Sequence, residues 1–124
     1  MKKLNNFFDM AAFCKGKQFA VKEVKDHYPY VNGEKQDKPD GVTIAVVITK
    51  DDTSYGDDDV DNLYEAFNVK CIGVDLKEAK KKFSVRNGIR FRRYKKAVVY
   101  GSYQNYLSVE INGLDDMEVV VNEW

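Results

Sequence analysis

The chain has 124 residues, of which 44% are apolar and 13% aromatic, and its 20 basic and 20 acidic side chains give a formal net charge of zero. This length and composition indicate one folded domain and exclude intrinsic disorder. No apolar run approaches the ~20 residues that span a bilayer, and no adequate apolar core of a secretion signal follows the N-terminal lysines. We therefore expect a cytoplasmic protein.

The N-terminal segment has a different hydrophobic period from the rest of the chain. Apolar residues at helical spacing predict a short amphipathic helix over residues 3–15, with Gly16 as its stop. We expect this helix to pack on the body of the protein, with binding to a partner as the alternative. From residue 17 the period becomes two, so we divide the chain into an N-terminal helix (1–16) and a β domain (17–124).

Alternating apolar residues predict three strands before residue 75, over residues 17–26, 42–50 and 63–74. A long loop rich in turn residues, 27–41, separates the first two strands. Loops of this length in small domains are frequently functional, and this one carries two tyrosines, Tyr28 and Tyr30. In the third strand the alternation places Phe67, Val69 and Cys71 in the core. It directs a mixed polar set outward, Tyr64, Asn68 and Lys70.

The C-terminal half begins with a brief helical signal over residues 75–83, with Asp75 as a candidate N-cap. A strand follows from about Ile89, then a glycine-containing turn at 100–105, then the last strand or strands through Val121. The alternation in the first of these strands slips near Arg93 and Tyr94, where we expect a bulge or bend.

Charge is strongly polarised along the sequence. Between Lys77 and Lys96 there are ten basic residues and one acid, a net charge of +9 that leaves −9 on the rest. Aromatic residues are interleaved with these cations and follow them as far as Tyr106. Cations neutralise phosphates and aromatic faces accept unstacked bases, so this mixture favours a surface for single-stranded nucleic acid. The alternative interpretation is an ordinary hairpin with a solvated basic edge.

The order of elements, three strands, a short helix and two strands, matches the five-stranded Greek-key barrel called the OB-fold. That barrel binds oligonucleotides across strands two and three and between the first-to-second and fourth-to-fifth strand loops. In this chain the two loops carry the tyrosines Tyr28, Tyr30, Tyr100 and Tyr103. We therefore predict a mainly β, OB-like barrel with a short helix between strands 3 and 4 and an additional N-terminal helix.

The segment GIRFRRYKKAVVYGSYQNYLSVEINGLDDMEVV resembles the closing strands of OB-type single-strand-binding proteins. The whole chain is similar to small accessory proteins of conjugative elements, phages and plasmids of low-GC Gram-positive bacteria. This resemblance implies a role in replication or transfer of a mobile element, with a helicase or another replication protein as partner.

We therefore predict a non-enzymatic, sequence-tolerant protein that binds single-stranded DNA or RNA, without a cofactor. The predicted phosphate contacts are the basic residues Lys70, Arg90, Arg92, Arg93, Lys95 and Lys96. The predicted stacking residues are the tyrosines Tyr28, Tyr30, Tyr64, Tyr100 and Tyr103.

Other classes of function have weaker support. The chain has no glycine-rich phosphate loop and no nucleophile elbow, and its two cysteines and single histidine are too few to close a zinc site. The alternative from another class is a small inhibitor whose acidic surface mimics phosphates. Its acids would be those of residues 51–61 together with Asp115, Asp116, Glu118 and Glu123. A third possibility is a docking barrel that binds no nucleic acid, because fold does not fix function.

Overall fold

The computed structural model describes Met10, Cys14 and residues 17–51, 65–100 and 106–120. This part of the chain is mainly β, and its helical elements that are described from end to end are α1 (Leu76–Lys82) and the 3-10 turn Leu114–Asp116. The nine strands are β1 (Lys17–His27), β2 (Tyr30–Val31), β3 (Glu34–Lys35), β4 (Gly41–Asp51), β5 (Ala66–Ile72), β6 (Gly88–Phe91), β7 (Lys96–Tyr100), β8 (Tyr106–Ile111) and β9 (Met117–Val120). None of the described helices is long and apolar enough to cross a membrane.

Seven of these strands form one mixed sheet in the order β7-β8-β5-β4-β1-β6-β9, and β2 and β3 form a separate hairpin. All neighbours in the sheet are antiparallel except β5 and β8, which are parallel. The prediction of a five-stranded OB-like barrel is wrong, because the described strands form a seven-stranded sheet that ends at β7 and β9 and does not close.

Two features of the backbone raise the number of strands above the predicted five. The predicted loop 27–41 contains the hairpin β2–β3, whose turn has positive φ at Asn32 (52°) and Gly33 (82°), as a type I′ turn requires. The last two predicted strands are each broken, because the chain bends after Phe91 and again after Ile111. We call the two segments that bend, residues 92–95 and 112–116, the bend. Within it, the amides of Arg92 and Arg93 both donate to the carbonyl of Asp116.

The predicted helix at residues 75–83 is confirmed as α1. The Asp75 side chain caps it by accepting a hydrogen bond from the amide of Lys77 at 2.8 Å. Its predicted place in the strand order is wrong, because it follows the fifth strand and no helix lies between β3 and β4. Of the predicted N-terminal helix, Met10 and Cys14 are helical, and the rest lies outside the described residues.

The core lies on the inner face of the sheet. It contains alternate residues of β4 and β5, among them Ile44, Ile48 and Val69, and on β5 these are the residues that the sequence predicted. Ala79 in the middle of α1 and Phe83 just after its end complete it, and Met10 packs into it as well. Burying side chains of this size contributes about 1.5–3 kcal/mol each. Because the core occupies the inner face and α1 packs at one end of it, the outer side of β5, β8 and β7 is left for a site.

Candidate nucleic-acid interface

The outer face of the sheet is formed by alternate residues of three neighbouring strands. The β-sheet register aligns Lys96 with Glu110 and Lys70, Val98 with Ser108 and Asn68, and Tyr100 with Tyr106. We call these eight residues the outer face. The predicted alternation of β5 is confirmed here, because Phe67, Val69 and Cys71 are buried while Asn68 is exposed and Lys70 is partly exposed. The outer face thus brings together two of the predicted cations and one of the predicted tyrosines.

Two tyrosines form the most exposed aromatic feature of the outer face. The rings of Tyr100 and Tyr106 stack at 5.3 Å between centroids with an interplanar angle of 27°, and their exposed fractions are 49% and 52%. Tyr100 was a predicted site residue, whereas Tyr106 was not. The signal that would have identified Tyr106 is the register of the β7–β8 hairpin, which places it directly opposite Tyr100. An exposed stacked pair in a fixed orientation is suited to receiving a further flat ring.

One carboxylate lies among the cations of the outer face. Glu110 contacts the ammonium of Lys95 at 3.2 Å and that of Lys70 at 3.6 Å. The hydrogen bond from Lys95, aided by the positive charges of both lysines and opposed by desolvation, holds the pKa of the Glu110 carboxyl below its usual range. Lys96 is exposed, and no described acid lies within 4.0 Å of its ammonium. Two lysines therefore share one acid while Lys96 has no described acidic neighbour, and this part of the surface is positive.

The three predicted arginines lie at the bend and on β6, away from the stacked tyrosines. Arg90 forms an ion pair with Glu118, its neighbour on β9. Arg93 donates through Nε to the buried carboxylate of Asp116 at 3.0 Å. Arg92 is exposed and lies near Asp115, whose carboxyl pKa is lowered mainly by Lys82, then by Arg92 and Arg93. Acids of β9 and of the 3-10 turn before it thus partly neutralise this group of cations.

The predicted tyrosines do not all converge. Tyr28 lies under the ammonium of Lys35, 4.7 Å from its ring centroid, and Tyr30 on β2 is 68% exposed. Their hairpin precedes β4 at the end of the sheet where Gly41 pairs with Ile72, whereas Tyr106 precedes the pairing of Ser108 with Asn68. The hairpin and the stacked pair therefore occupy opposite ends of β5. The other two predicted tyrosines lie outside the described residues, Tyr64 and Tyr103.

The acids that support the alternative interpretation are in part engaged. Lys82 binds Asp115 at 2.6 Å, and the other two described acids, Asp116 and Glu118, pair with arginines. Glu123 and most of the acidic segment 51–61 lie outside the described residues.

The described residues contain neither a group of metal ligands nor a thiol with a lowered pKa. No three side chains among His, Cys, Asp and Glu in this part of the chain are grouped to hold a metal ion. Burial raises the pKa of the Cys14 thiol to about 11, and burial also raises the pKa of Cys71. A thiol that stays protonated is a poor nucleophile.

Comparison of the chain with family models, with curated proteins and with solved structures finds no match to any of them. The resemblance to accessory proteins of mobile elements therefore stays a prediction.

Proposed function

We propose that the protein binds single-stranded nucleic acid on the outer face, with little preference for base sequence. The observation that carries this proposal is the exposed, stacked pair Tyr100 and Tyr106 on a face that also carries Lys96 and Lys70. A base can stack on the pair only when it is free of a duplex, because paired bases have no open ring face at the protein surface. The lysines attract phosphates of any sequence.

The tyrosines and lysines make different contributions to this binding. Stacking on an aromatic side chain is worth about 1–3 kcal/mol per base and is tolerant of base identity. Phosphate contacts release counterions, so their share of the affinity falls steeply with salt. Removing the tyrosines should therefore reduce the preference for single strands, whereas removing the lysines should flatten the salt dependence.

We expect Tyr100→Ala with Tyr106→Ala to weaken binding of a dT oligonucleotide at least about tenfold, because a loss of 1.4 kcal/mol corresponds to tenfold and stacking is worth about 1–3 kcal/mol per base. The measurement is a fluorescence-anisotropy titration of labelled dT and rU oligonucleotides and of a duplex of equal length, at ~50 and ~200 mM salt. The wild-type protein should bind both single strands more tightly than the duplex.

The matched control is Tyr94→Ala. Tyr94 lies at the bend and is 46% exposed, close to the exposure of the paired tyrosines, and its removal should leave the affinity for dT nearly unchanged. Failure of the wild-type protein to bind either single strand would overturn the proposal. A double variant that binds dT as tightly as the wild-type protein does would also overturn it.

We expect Glu110→Gln to strengthen single-strand binding. Glu110 neutralises Lys70 and Lys95, and a phosphate must compete with this carboxylate for both ammonium groups. Removing its charge should raise the affinity for dT several-fold and steepen the dependence on salt, measured in the same titration. Glu118→Gln removes the same charge from the pair with Arg90 outside the outer face and should have a smaller effect. Unchanged affinity for Glu110→Gln would place the phosphate path elsewhere.

A role in replication or transfer of a mobile element, with a helicase as partner, belongs to the same proposal and is supported by the sequence resemblance. Stimulation of strand unwinding by a helicase is the assay that follows a measured preference for single strands.

A further inference from the structure

A second cationic surface lies on α1 and the loop that follows it. Lys77, Lys80 and Lys81 are exposed, and their spacing of three and four residues places them on one side of the helix. Arg86 is exposed a few residues later. In the described part of the chain no acid lies within 4.0 Å of any of these four side chains, in contrast to Lys82, which pairs with Asp115. We call these four residues the α1 patch.

Arg86 is held in an unusual backbone conformation. Its φ is 74°, in the left-handed region that long side chains seldom adopt. The loop is fixed on both sides of it, because the Arg86 amide donates to the carbonyl of Val21 at 2.7 Å and the Ser84 amide donates to the side chain of Asn87 at 2.7 Å. Residues held in such conformations are concentrated at binding sites and ligand clamps. The strained backbone at Arg86 thus indicates a binding site on the same surface as the charge does, and the two observations are independent.

The chemistry of the α1 patch differs from that of the outer face. Its four members are all cations, with the exposed Glu78 as the acid of the same helix, and the aromatic residue that follows the helix, Phe83, is 1% exposed and belongs to the core. Such a surface can bind phosphates but offers nothing on which a base can stack. It therefore has no means of preferring a single strand, and it suits the regular phosphate array of a duplex, which carries the higher charge density.

We propose that the α1 patch binds the phosphate backbone of duplex nucleic acid. The next step rests on the function proposed above. Because the outer face binds a single strand and the α1 patch binds a duplex, the protein favours a duplex that continues into a single strand. The topology allows this, because α1 begins four residues after Ile72, at the end of β5 remote from the tyrosine pair. Tyr106 is level with the start of β5, about six residues or ~20 Å away along the strand at ~3.3 Å per residue.

The decisive variant replaces all four cations of the patch, Lys77→Gln, Lys80→Gln, Lys81→Gln and Arg86→Gln. Its binding to a blunt duplex, a dT oligonucleotide and a duplex with a dT tail is measured by fluorescence anisotropy at several salt concentrations. The wild-type protein should bind the tailed duplex most tightly. The variant should lose at least tenfold in affinity for the blunt duplex, and the slope of log affinity against log salt should fall by about 3 to 4, since each duplex phosphate contact contributes about 0.9. Its affinity for dT should change little.

Two further variants separate binding from folding and from general charge loss. Arg86→Gly relieves the positive φ, so it should raise the melting temperature while it lowers the affinity for duplex. Lys35→Gln with Lys38→Gln removes cations from the hairpin side of the molecule and should leave the affinity for duplex nearly unchanged.

The outcomes distinguish this inference from the function proposed above. A wild-type protein that fails to bind duplex, or a four-site variant that binds it as well as the wild type, overturns the duplex site. Binding of phosphatidylserine vesicles through the same four residues, without binding of duplex, also overturns it and assigns the patch to a lipid surface. If the wild-type protein fails to bind dT but loses duplex affinity in the four-site variant, the outer-face proposal fails and the α1 patch stands.

Discussion

Gly41→Ala is expected to destabilise the protein by about 3 kcal/mol or more, out of the ~5–15 kcal/mol that hold a domain of this kind together. Gly41 begins β4 and pairs with Ile72, the last residue of the neighbouring strand β5. A Cβ at this position would overlap the carbonyl oxygen of Cys71 and approach the Cα of Ile72 to 2.7 Å. Both obstacles are backbone atoms of a central strand, so relief requires separating β4 from β5. Urea denaturation monitored by circular dichroism gives the free energy of unfolding.

Gly113→Ala provides the matched control. A Cβ at Gly113 would meet no heavy atom within 4 Å, and its φ of −159° is extended backbone that any residue adopts. Its replacement should change the free energy of unfolding by less than about 0.5 kcal/mol. If Gly41→Ala unfolds at the same urea concentration as the wild-type protein does, the close approach of β4 and β5 at this point is contradicted.

Elements with local signals were predictable from the sequence. The apolar, β-branched run of residues 42–50 predicts a strand, although the structure buries the side chains on both faces of β4. Asp75 predicts the start of α1, because a carboxylate at this position accepts a hydrogen bond from the first turn. The slip of the alternation near Arg93 predicts the bend, since a strand that changes faces must break there. The structure confirms all three features.

The arrangement of the strands in the sheet was not predictable by the same reasoning. The parallel pairing of β5 with β8 joins segments about forty residues apart, and alternation within a strand carries no information about its neighbour. The count of strands also depended on the bend, which divides two predicted strands into four. The hairpin β2–β3 is a different case, because its Asn32-Gly33 turn is a strong local signal. The prediction of a loop over residues 27–41 did not take this turn into account.

The candidate site shows the same division between local and nonlocal information. The excess of cations between Lys77 and Lys96 was visible in the sequence, but their pairing was not. Glu118 reaches Arg90 from 28 residues away and Asp116 reaches Arg93 from 23, because β9 folds back along β6. Once these pairs are formed, the cations of this stretch without a described acidic neighbour within 4.0 Å are the three exposed lysines of α1, Arg86, Arg92 and Lys96. Composition alone therefore overstates the role of Arg90 and Arg93.

Asp116→Asn is expected to lower the free energy of unfolding by about 1.5–3 kcal/mol, the range for a hydrogen bond to a charged group. The Asp116 side chain is buried. It accepts hydrogen bonds from the Asn112 amide at 2.9 Å and from Arg93 Nε at 3.0 Å, and its own carbonyl accepts the amides of Arg92 and Arg93. Asp116 thus links the two segments of the bend. Asp115→Asn is the control, because Asp115 is exposed and its pair with Lys82 lies at the surface, and its effect should be smaller.

Acid should act on the wild-type protein through the same carboxylate. The amide of Asn112, aided by Arg93 and the amide of Gly113 and opposed by burial, holds the pKa of Asp116 below its usual range. The unfolded chain therefore binds the proton first as the pH falls. The stabilisation is complete above the unfolded pKa of about 3.9 and is lost as the pH falls through the lower pKa of the folded state.

Urea denaturation at a series of pH values tests this assignment directly. The difference in unfolding free energy between wild-type protein and Asp116→Asn should be constant near neutrality and should shrink in acid, where both proteins carry an uncharged side chain. A difference that persists unchanged below the folded-state pKa would mean that the Asp116 charge does not hold the bend. The bend connects β6, which carries Arg90, to β7, which carries Tyr100 of the stacked pair. Disordering the bend should therefore also weaken single-strand binding, although no residue of the outer face is changed.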